Sequence, residues 1–347
     1  MQPSLFGDAP EAPKDRPRGK GAPRSSVQPA PPSADHLALR EQLPDGLHLG
    51  SSSWTYPGWA GLVWAEDYPE AKLSKEGLRA YAQHPLMRAV SVDRAFYRPL
   101  TVSQYSAYAL QVPDAFRFTI KAPSLVSDAL IRDETGRGMT LNRQFLDPEL
   151  AVREFVEPAL AGLGHKLGAL VFQLSPLPDA WLNRLDRVLD QIAALLAALP
   201  PLQPTAPDAV VAIEVRDPLF LQPPYAARLA TLLREAGATY CLGLHAKMPP
   251  IAEQLPMLRA LWPRPLVCRW NLHRVHGAYG YEEARELYAP YDQLVDPDLE
   301  IRATLAKVIH ATTAAGHKAY VTISNKAEGS APLTVEALAR AVAALQR

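Results

Sequence analysis

The strongest constraint on the fold is an alternation of two kinds of segment, which repeats eight times from Leu47 onward. In each repeat a short apolar run, typical of a buried strand, precedes a stretch with helical spacing of its apolar residues. The predicted strands are 47–53, 89–94, 116–122, 167–174, 210–217, 239–246, 265–272 and 318–325. Eight strand–helix units in succession favour a closed α/β barrel, the (β/α)8 or TIM barrel, over an open doubly wound sheet.

The first 46 residues have a different composition from the rest of the chain. They are rich in Pro, Ala and Ser and have almost no periodic apolar residues, so residues 1–46 are predicted to be a disordered tail. The remaining 301 of the 347 residues would form the barrel domain, 47–347. A barrel of this type usually needs roughly 250 residues, so one domain with a tail accounts for the length.

Charge and cysteine content exclude several classes of protein. Lys and Arg total 36 and Asp and Glu total 36, so no global field would draw the chain to nucleic acid or to an acidic membrane. Cys241 and Cys268 both lie in apolar runs, which predicts buried thiols in a reducing compartment. Because no apolar segment has the length of a membrane span or a signal core, a cytoplasmic protein without membrane contact is expected.

The stretch 210–217, VVAIEVRD, carries the clearest functional signal. Its apolar run ends in Glu214 and Arg216, and strand alternation puts both side chains on one face. A strand so rich in Val and Ile is buried on both sides, so two charges on one face must point into an enclosed polar space. The mouth of a barrel is such a space. We expect the cations to outweigh burial and keep Glu214 ionised, as an orienting carboxylate or a base.

Polar residues also follow the other predicted strands, where barrel enzymes build their sites. The candidate site consists of Asp93 and Glu214 as catalytic groups, with Trp54, Arg94, Lys121, Gln173, Arg216, Arg269, Asn271, Asn325 and Lys326 as substrate-binding groups. Ion pairs that only close a barrel end would give a similar pattern. His245, His273 and Glu214 are a conceivable metal triad, but no paired-histidine spacing supports it, so no metal site is predicted. No dinucleotide or P-loop motif is present, and the cofactor is left unassigned.

Several short motifs after residue 46 resemble those of the DUF72 or YecE-like family, TIM barrels of unassigned activity. They are Phe96-Tyr97-Arg98-Pro99, Pro113 with Phe116-Arg117-Phe118 and Lys121, Phe172-Gln173-Leu174, Glu214-Val215-Arg216, Arg269, and Asn325 with Gly329 and Ala331. The chain departs from the commoner pattern of the family at three places, which indicates a variant subgroup. Ser91 and Asp93 replace a Glu and an Asn, Ser127-Asp128 replaces a Thr-His pair, and Asn271-Leu272 replaces a His-Gly pair.

A second resemblance lies at the amino terminus. The peptide Gln2-Pro3-Ser4-Leu5-Phe6 is similar to the short segment by which bacterial DNA-maintenance proteins dock on the sliding clamp, although a match this short also arises by chance.

The cations after the predicted strands outnumber the carboxylates, and fork-shaped guanidinium groups bind carboxylates and phosphates. The leading hypothesis is therefore an enzyme that performs hydrolytic or phosphoryl-type chemistry on a small or nucleotide-sized anion. The rival hypothesis is a non-catalytic ligand-binding adaptor, which the peptide at Gln2 to Phe6 would recruit to DNA maintenance.

Overall fold

Eight parallel strands close on themselves, as the alternating pattern predicts. The computed structural model describes residues 26–133, 137–277 and 279–346. The barrel strands are β1 (Leu47–Ser51), β2 (Ala89–Val92), β3 (Arg117–Lys121), β6 (Leu167–Gln173), β7 (Val210–Glu214), β8 (Thr239–Leu244), β9 (Leu266–Trp270) and β10 (Ala319–Ile323). They follow one another around the barrel in chain order, and β10 pairs with β1 to close it.

The two faces of the strands have different surroundings. Side chains such as Leu49, Phe118 and Ile213 point outward and join the main core beneath the helices. The alternate positions point inward, where Ala169, Val171, Ala212, Cys241, Val267 and Tyr320 form a separate cluster. Continuing this parity toward the strand ends places Lys121, Gln173, Glu214 and Arg269 inside the barrel at its carboxyl-terminal mouth.

Helices surround the strands, and all of those described except α2 and α8 have buried residues. They are α1 (Ala34–Glu41), α2 (Glu70–Lys72), α3 (Leu78–Tyr81), α4 (Val102–Ala109), α5 (Ser124–Ser127), α6 (Pro148–Ala151), α7 (Glu157–Leu163), α8 (Asp179–Leu182), α9 (Leu185–Ala198), α10 (Tyr225–Glu235), α11 (Ile251–Ala260), α12 (Tyr281–Tyr288), α13 (Leu299–Ala314) and α14 (Ala331–Ala344). Turns of π-helix join α2 to α3 and α6 to α7. Among the described residues, no helix has both the length and the apolar character that a membrane crossing requires.

The prediction of a disordered tail is wrong for residues 26–46. Ser33 caps α1, and its side chain accepts a hydrogen bond from the amide of His36. Leu39 and Leu43 are buried, and Arg340 on α14 pairs with Asp35 on α1. These few contacts order a segment whose composition alone suggested disorder. The clamp-like peptide at Gln2 to Phe6 lies outside the described residues.

Two insertions above the mouth were not predicted. An antiparallel hairpin, β4 (Leu130–Arg132) and β5 (Gly138–Leu141), follows β3. After β9, the chain forms α12 before it enters α13. Both insertions follow the carboxyl ends of barrel strands, so the additional structure lies on the face that carries the candidate site.

Candidate functional site

Glu214 lies at the centre of a charged cluster in the barrel mouth. Its side chain has no exposed surface, and each of its oxygens accepts from a different guanidinium. Arg269 Nη1 lies 2.7 Å from Oε2, while Arg216 Nε and Nη2 each lie 3.0 Å from Oε1. The two arginines thus hold the carboxylate from β9 and from the end of β7.

Gln173 and Asp93 extend the cluster across the mouth. Gln173 Oε1 accepts from Arg216 Nη2 and from Arg269 Nη1, both at 2.9 Å. Arg269 Nη2 donates to Asp93 Oδ2 at 3.0 Å, and Ser91 Oγ donates to Asp93 Oδ1 at 2.6 Å. Arg269 therefore links β2, β6 and β7 by hydrogen bonds. Asp93 is the more accessible of the two carboxylates, with 35% of its side chain exposed.

Charge decides the protonation state of Glu214. Burial by itself would raise the pKa of this carboxyl, but the neighbouring Arg269 and Arg216 guanidinium groups outweigh burial and lower the pKa to about 2. Glu214 is thus an ionised carboxylate whose oxygens are both engaged by arginines. It can orient the arginines, but it is poorly suited to donate a proton.

Lys121 behaves differently from the arginines. Burial, followed by the charge of Arg269, lowers the pKa of its amine to about 7. Its Nζ lies 3.4 Å from the centroid of the Phe96 ring. No carboxylate of the described residues forms a salt bridge with it. An amine with a pKa near neutrality is suited to gain and lose a proton.

His245 adds a neutral imidazole to this end of the barrel. Its Nδ1 accepts a hydrogen bond from the amide of Lys247, which leaves the ring proton on Nε2. Burial and the nearby Arg216 lower the pKa of His245 to about 4, so the ring stays neutral at neutral pH. His245 is thus a hydrogen-bond donor at this end of the barrel, whereas the sequence suggested it only as a conceivable metal ligand and not as a substrate-binding group. It continues the inward parity of Cys241 and Gly243 on β8, which is the signal that could have identified it.

Several predicted site residues lie away from the cluster. Trp54 is buried against Tyr108, and Arg94 Nη1 donates to the Tyr108 hydroxyl at 2.8 Å. Asn325 is fully buried, and its Oδ1 accepts from Trp59 Nε1 and from the amide of Ala331. These contacts give Trp54, Arg94 and Asn325 roles in packing and loop anchoring.

Lys326 and Asn271 occupy intermediate positions. Lys326 is buried, with its Nζ 4.3 Å from the centroid of the Tyr281 ring, and burial lowers the pKa of its amine to about 8. The backbone amide of Asn271 donates to the carbonyl oxygen of Leu244, and its side chain is half-buried at the end of β9.

Glu328, after β10, and His273, after β9, have structural contacts. Glu328 is fully buried, and its Oε2 accepts two hydrogen bonds from Arg302. His273 Nδ1 accepts from the amide of Val275, and its Nε2 faces Asp298 at 3.7 Å. Within residues 26–133, 137–277 and 279–346, no three His, Cys, Asp or Glu side chains are grouped as metal ligands would be.

Comparison with known proteins assigns a family to this chain. A family model described as "Protein of unknown function DUF72" matches residues 48–347. The chain belongs to the DUF72 family. A comparison with curated proteins found no match.

Solved DUF72 proteins share the fold at low sequence identity. One structure of a DUF72 protein from Enterococcus faecalis is 16% identical, with a TM-score of 0.56 over 85% of this chain and 95% of that chain. A second structure of the Enterococcus faecalis protein is 17% identical, with a TM-score of 0.50 over 86% and 96% of the two chains. At this identity the likeness supports the fold alone.

The three departures from the commoner DUF72 pattern differ in where they lie. Ser91 and Asp93 lie inside the cluster, where they are hydrogen-bonded to each other. Ser127 and Asp128 have local structural contacts instead, because the Ser127 hydroxyl donates to the carbonyl of Pro123 and Asp128 pairs with Arg132. The third departure, Asn271-Leu272, directly follows β9, where Asn271 is half-buried and Leu272 is buried. The departures at the mouth of this DUF72 barrel therefore lie at the ends of β2 and β9.

Proposed function

We propose that this protein is an enzyme that binds a small anionic substrate at the carboxyl-terminal mouth of the barrel and acts on it by acid–base chemistry of the hydrolytic or phosphoryl-transfer type. The substrate anion would be a carboxylate or a phosphate. The proposal rests on the hydrogen-bonding groups that the charged cluster leaves unused.

The observation that carries the proposal is a set of donors with no acceptor. Arg216 Nη1, Lys121 Nζ, Gln173 Nε2 and His245 Nε2 form no hydrogen bond with any residue in the described part of the chain. All four side chains lie on the inward face at the same end of the barrel. Donors that converge without acceptors suit an acceptor-rich anion, and two of them carry positive charge when protonated.

Each group has a role in this scheme. Arg216 and protonated Lys121 would hold the anion, with Gln173 and His245 completing its hydrogen bonds. Arg269 has no such freedom, because it is engaged by Glu214, Gln173 and Asp93. Its role, together with that of Glu214, is to fix Arg216 and Gln173 in place.

Asp93 and Lys121 are the groups suited to proton transfer. Asp93 is a partly exposed carboxylate, which can act as a base, and the Lys121 amine has a pKa of about 7 and can act as an acid. A glycosidase mechanism needs a carboxylic acid as proton donor, and Glu214 cannot serve because its pKa of about 2 keeps it ionised. The proton donor assigned here is therefore the lysine.

Calorimetric titration with sulfate and oxalate tests the anion site. Arg216→Met and Lys121→Met should each weaken binding by about tenfold or more, because a charge-assisted hydrogen bond is lost. The matched control is Lys318→Met, since Lys318 pairs with Asp208 near the amino-terminal end of β10. This variant should bind as the wild type does. Equal weakening in all three variants, or no anion binding by the wild-type protein, would contradict the proposal.

The pH dependence of sulfate binding tests the role of Lys121. The folded protein without ligand holds the pKa of Lys121 at about 7, and a bound anion raises that pKa because it favours the charged amine. Sulfate affinity should therefore fall as the pH rises above 7, by up to about tenfold per pH unit between the two pKa values. Lys121→Met should remove this dependence. The same slope in wild type and variant would assign the proton to another group.

Turnover separates an enzyme from a binding protein. Release of product should be measured with a panel of phosphate esters and carboxylate esters, using the wild type beside Asp93→Asn. Turnover by the wild type and its loss in Asp93→Asn are the expected results. Tight anion binding without turnover of any ester would indicate a ligand-binding protein and contradict the proposal of an enzyme.

A further inference from the structure

Two exposed tyrosine rings stand at the mouth of the barrel. Tyr97 has 84% of its surface exposed and follows the turn after β2, while Tyr281 has 47% exposed and begins α12. A single exposed aromatic side chain is common and needs no explanation. Two such rings, supplied by separate loops at the end of the barrel that carries the charged cluster, are less common and suggest a binding surface.

A chain of contacts ties Tyr97 to the cluster. The Lys121 amine lies against one ring, that of Phe96, at 3.4 Å from its centroid. Phe96 and Tyr97 are in edge-to-face contact, with their centroids 5.4 Å apart and an interplanar angle of 82°. Tyr97 is therefore separated from Lys121 by a single ring, and its own exposed face remains open to solvent.

Tyr281 stands at the mouth at the start of α12, next to the segment that follows β10. Lys326 Nζ lies 4.3 Å from the centroid of its ring and so covers one face. Lys326 follows β10 and Tyr97 follows β2, and both strands pair with β1, so the two tyrosines stand at the same sector of the mouth. The pKa of the Tyr281 hydroxyl is raised by burial and then by Tyr97, Tyr291 and Asp93, which agrees with this placement. Yet no ring contact joins Tyr97 and Tyr281 among the aromatic pairs of the described residues. The two rings thus belong to one sector of the mouth and do not pack against each other.

We propose that Tyr97 and Tyr281 form an aromatic platform that binds a planar ring of the substrate. The proposal rests on the proposed function, since the anion of the same substrate would occupy Arg216 and Lys121. A ligand that reaches both places is an anion joined by a short linker to a planar ring, as in a nucleoside monophosphate. Aromatic side chains stack on such rings with little dependence on the identity of the base.

Calorimetric titration with three phosphates tests the aromatic platform. Adenosine monophosphate has both ring and anion, phenyl phosphate has a ring without the sugar, and ribose 5-phosphate has the anion and the sugar without a planar ring. Tyr97→Leu and Tyr281→Leu should each weaken binding of adenosine monophosphate by about tenfold, the typical loss for one stacked ring. Both variants should bind ribose 5-phosphate within about twofold of wild type, since the anion site is unchanged.

Matched variants show whether the ring itself is responsible. Tyr97→Phe and Tyr281→Phe keep the ring and should bind adenosine monophosphate as the wild type does. Trp262→Leu removes a half-exposed aromatic side chain that precedes β9, at the other end of the strand, and should have no effect. Because the two tyrosines are exposed, thermal melts of their leucine variants should overlay the wild-type curve.

The outcomes separate this proposal from the one on which it rests. The aromatic platform is supported if the leucine variants lose affinity for adenosine monophosphate while their affinity for ribose 5-phosphate is unchanged. A parallel loss for phenyl phosphate supports it as well. Unchanged affinity for adenosine monophosphate in both leucine variants overturns the platform and leaves the anion site standing. If the wild type binds none of the three phosphates while sulfate and oxalate also fail, the proposed function itself is overturned.

Discussion

Glu214 is enclosed on all sides, and each of its oxygens faces a guanidinium. A buried ion pair of this kind gives little net stability compared with an apolar replacement of the whole group. Removing one partner is different, because it leaves the remaining charges buried without compensation. The dependence is therefore mutual, and Glu214 keeps Arg216 and Arg269 in place as much as they keep it ionised.

We predict that Glu214→Gln lowers the free energy of unfolding by about 3–5 kcal/mol, the usual cost of an uncompensated buried charge. Urea unfolding at pH 7 measures this change. The control is Glu282→Gln, because Glu282 forms an exposed pair with Arg285 and such pairs contribute about 1 kcal/mol at most. A Glu214→Gln protein as stable as the Glu282→Gln control would show that the arginines find other partners.

How far a strand pattern predicts side-chain direction depends on the distance from the strand end. Glu214 is the last residue of β7, and its inward orientation follows from alternation. Trp54, Arg94 and Asn325 come two or three residues after their strands end, at Ser51, Val92 and Ile323. The chain has already entered a turn there, so parity no longer applies and contacts with the surrounding loops decide the direction. Arg216 keeps the inward direction because Glu214 and Gln173 accept its hydrogen bonds.

At the scale of elements, the order and number of barrel strands were predictable, whereas short elements outside the repeat were not. The helix α1 has eight residues and one fully buried apolar position, so its periodicity is too weak to stand out among prolines. The local signal was Ser33 as a helix cap, followed by Leu39 and Leu43. What orders α1 is its packing against α14, which is distant in sequence and therefore absent from any local pattern.

We predict that α1 contributes to the stability of the barrel. Leu39→Ala should lower the free energy of unfolding by about 2–5 kcal/mol, because it removes a buried leucine side chain. Chemical denaturation provides the measurement. Leu37→Ala is the matched control on the same helix, since Leu37 is 48% exposed, and its effect should stay within about 0.5 kcal/mol. Equal stability of the two variants would mean that α1 is detached in solution.

At the scale of the whole molecule, both ends of the barrel carry charged side chains that are at least partly buried, but the two ends differ in how those charges are used. At the amino-terminal end, Arg117 pairs with Asp208 at 2.7 Å, and Tyr320 donates to the Asp208 carbonyl at 2.6 Å. His48 stacks on Tyr320, and burial lowers the pKa of its ring to about 3, so it stays neutral. This end is a polar plug. Its unpaired groups, Arg117 Nε and the two ring nitrogens of His48, are buried. The unpaired donors of the carboxyl-terminal end, such as Lys121 Nζ and Arg216 Nη1, are not among the buried unpaired atoms of the described residues.

The strand pattern alone could not distinguish these two ends, because an ion pair that closes a barrel and an ion pair that binds a ligand use the same residue types. The general rule that barrel enzymes place their sites at the carboxyl ends of strands favoured one end. The burial of the unused donors then distinguishes the ends physically. Arg117 donates to Asp208 and the backbone, and its remaining Nε is buried without a partner. Arg216 also retains an unused donor, Nη1, which is not among the buried unpaired atoms of the described residues.

Because of this difference, we predict that substitutions at the amino-terminal end change stability without changing anion affinity. Arg117→Met should lower the free energy of unfolding by about 1–3 kcal/mol, because it leaves Asp208 with fewer partners, and it should leave sulfate affinity unchanged. Arg216→Met should lower sulfate affinity by about tenfold or more. Urea unfolding and calorimetric titration of the two variants side by side provide the measurement. The decisive comparison is the affinity of Arg117→Met. If it falls as far as that of Arg216→Met, the two ends are coupled through the barrel interior, and anion binding cannot be assigned to the carboxyl-terminal mouth alone.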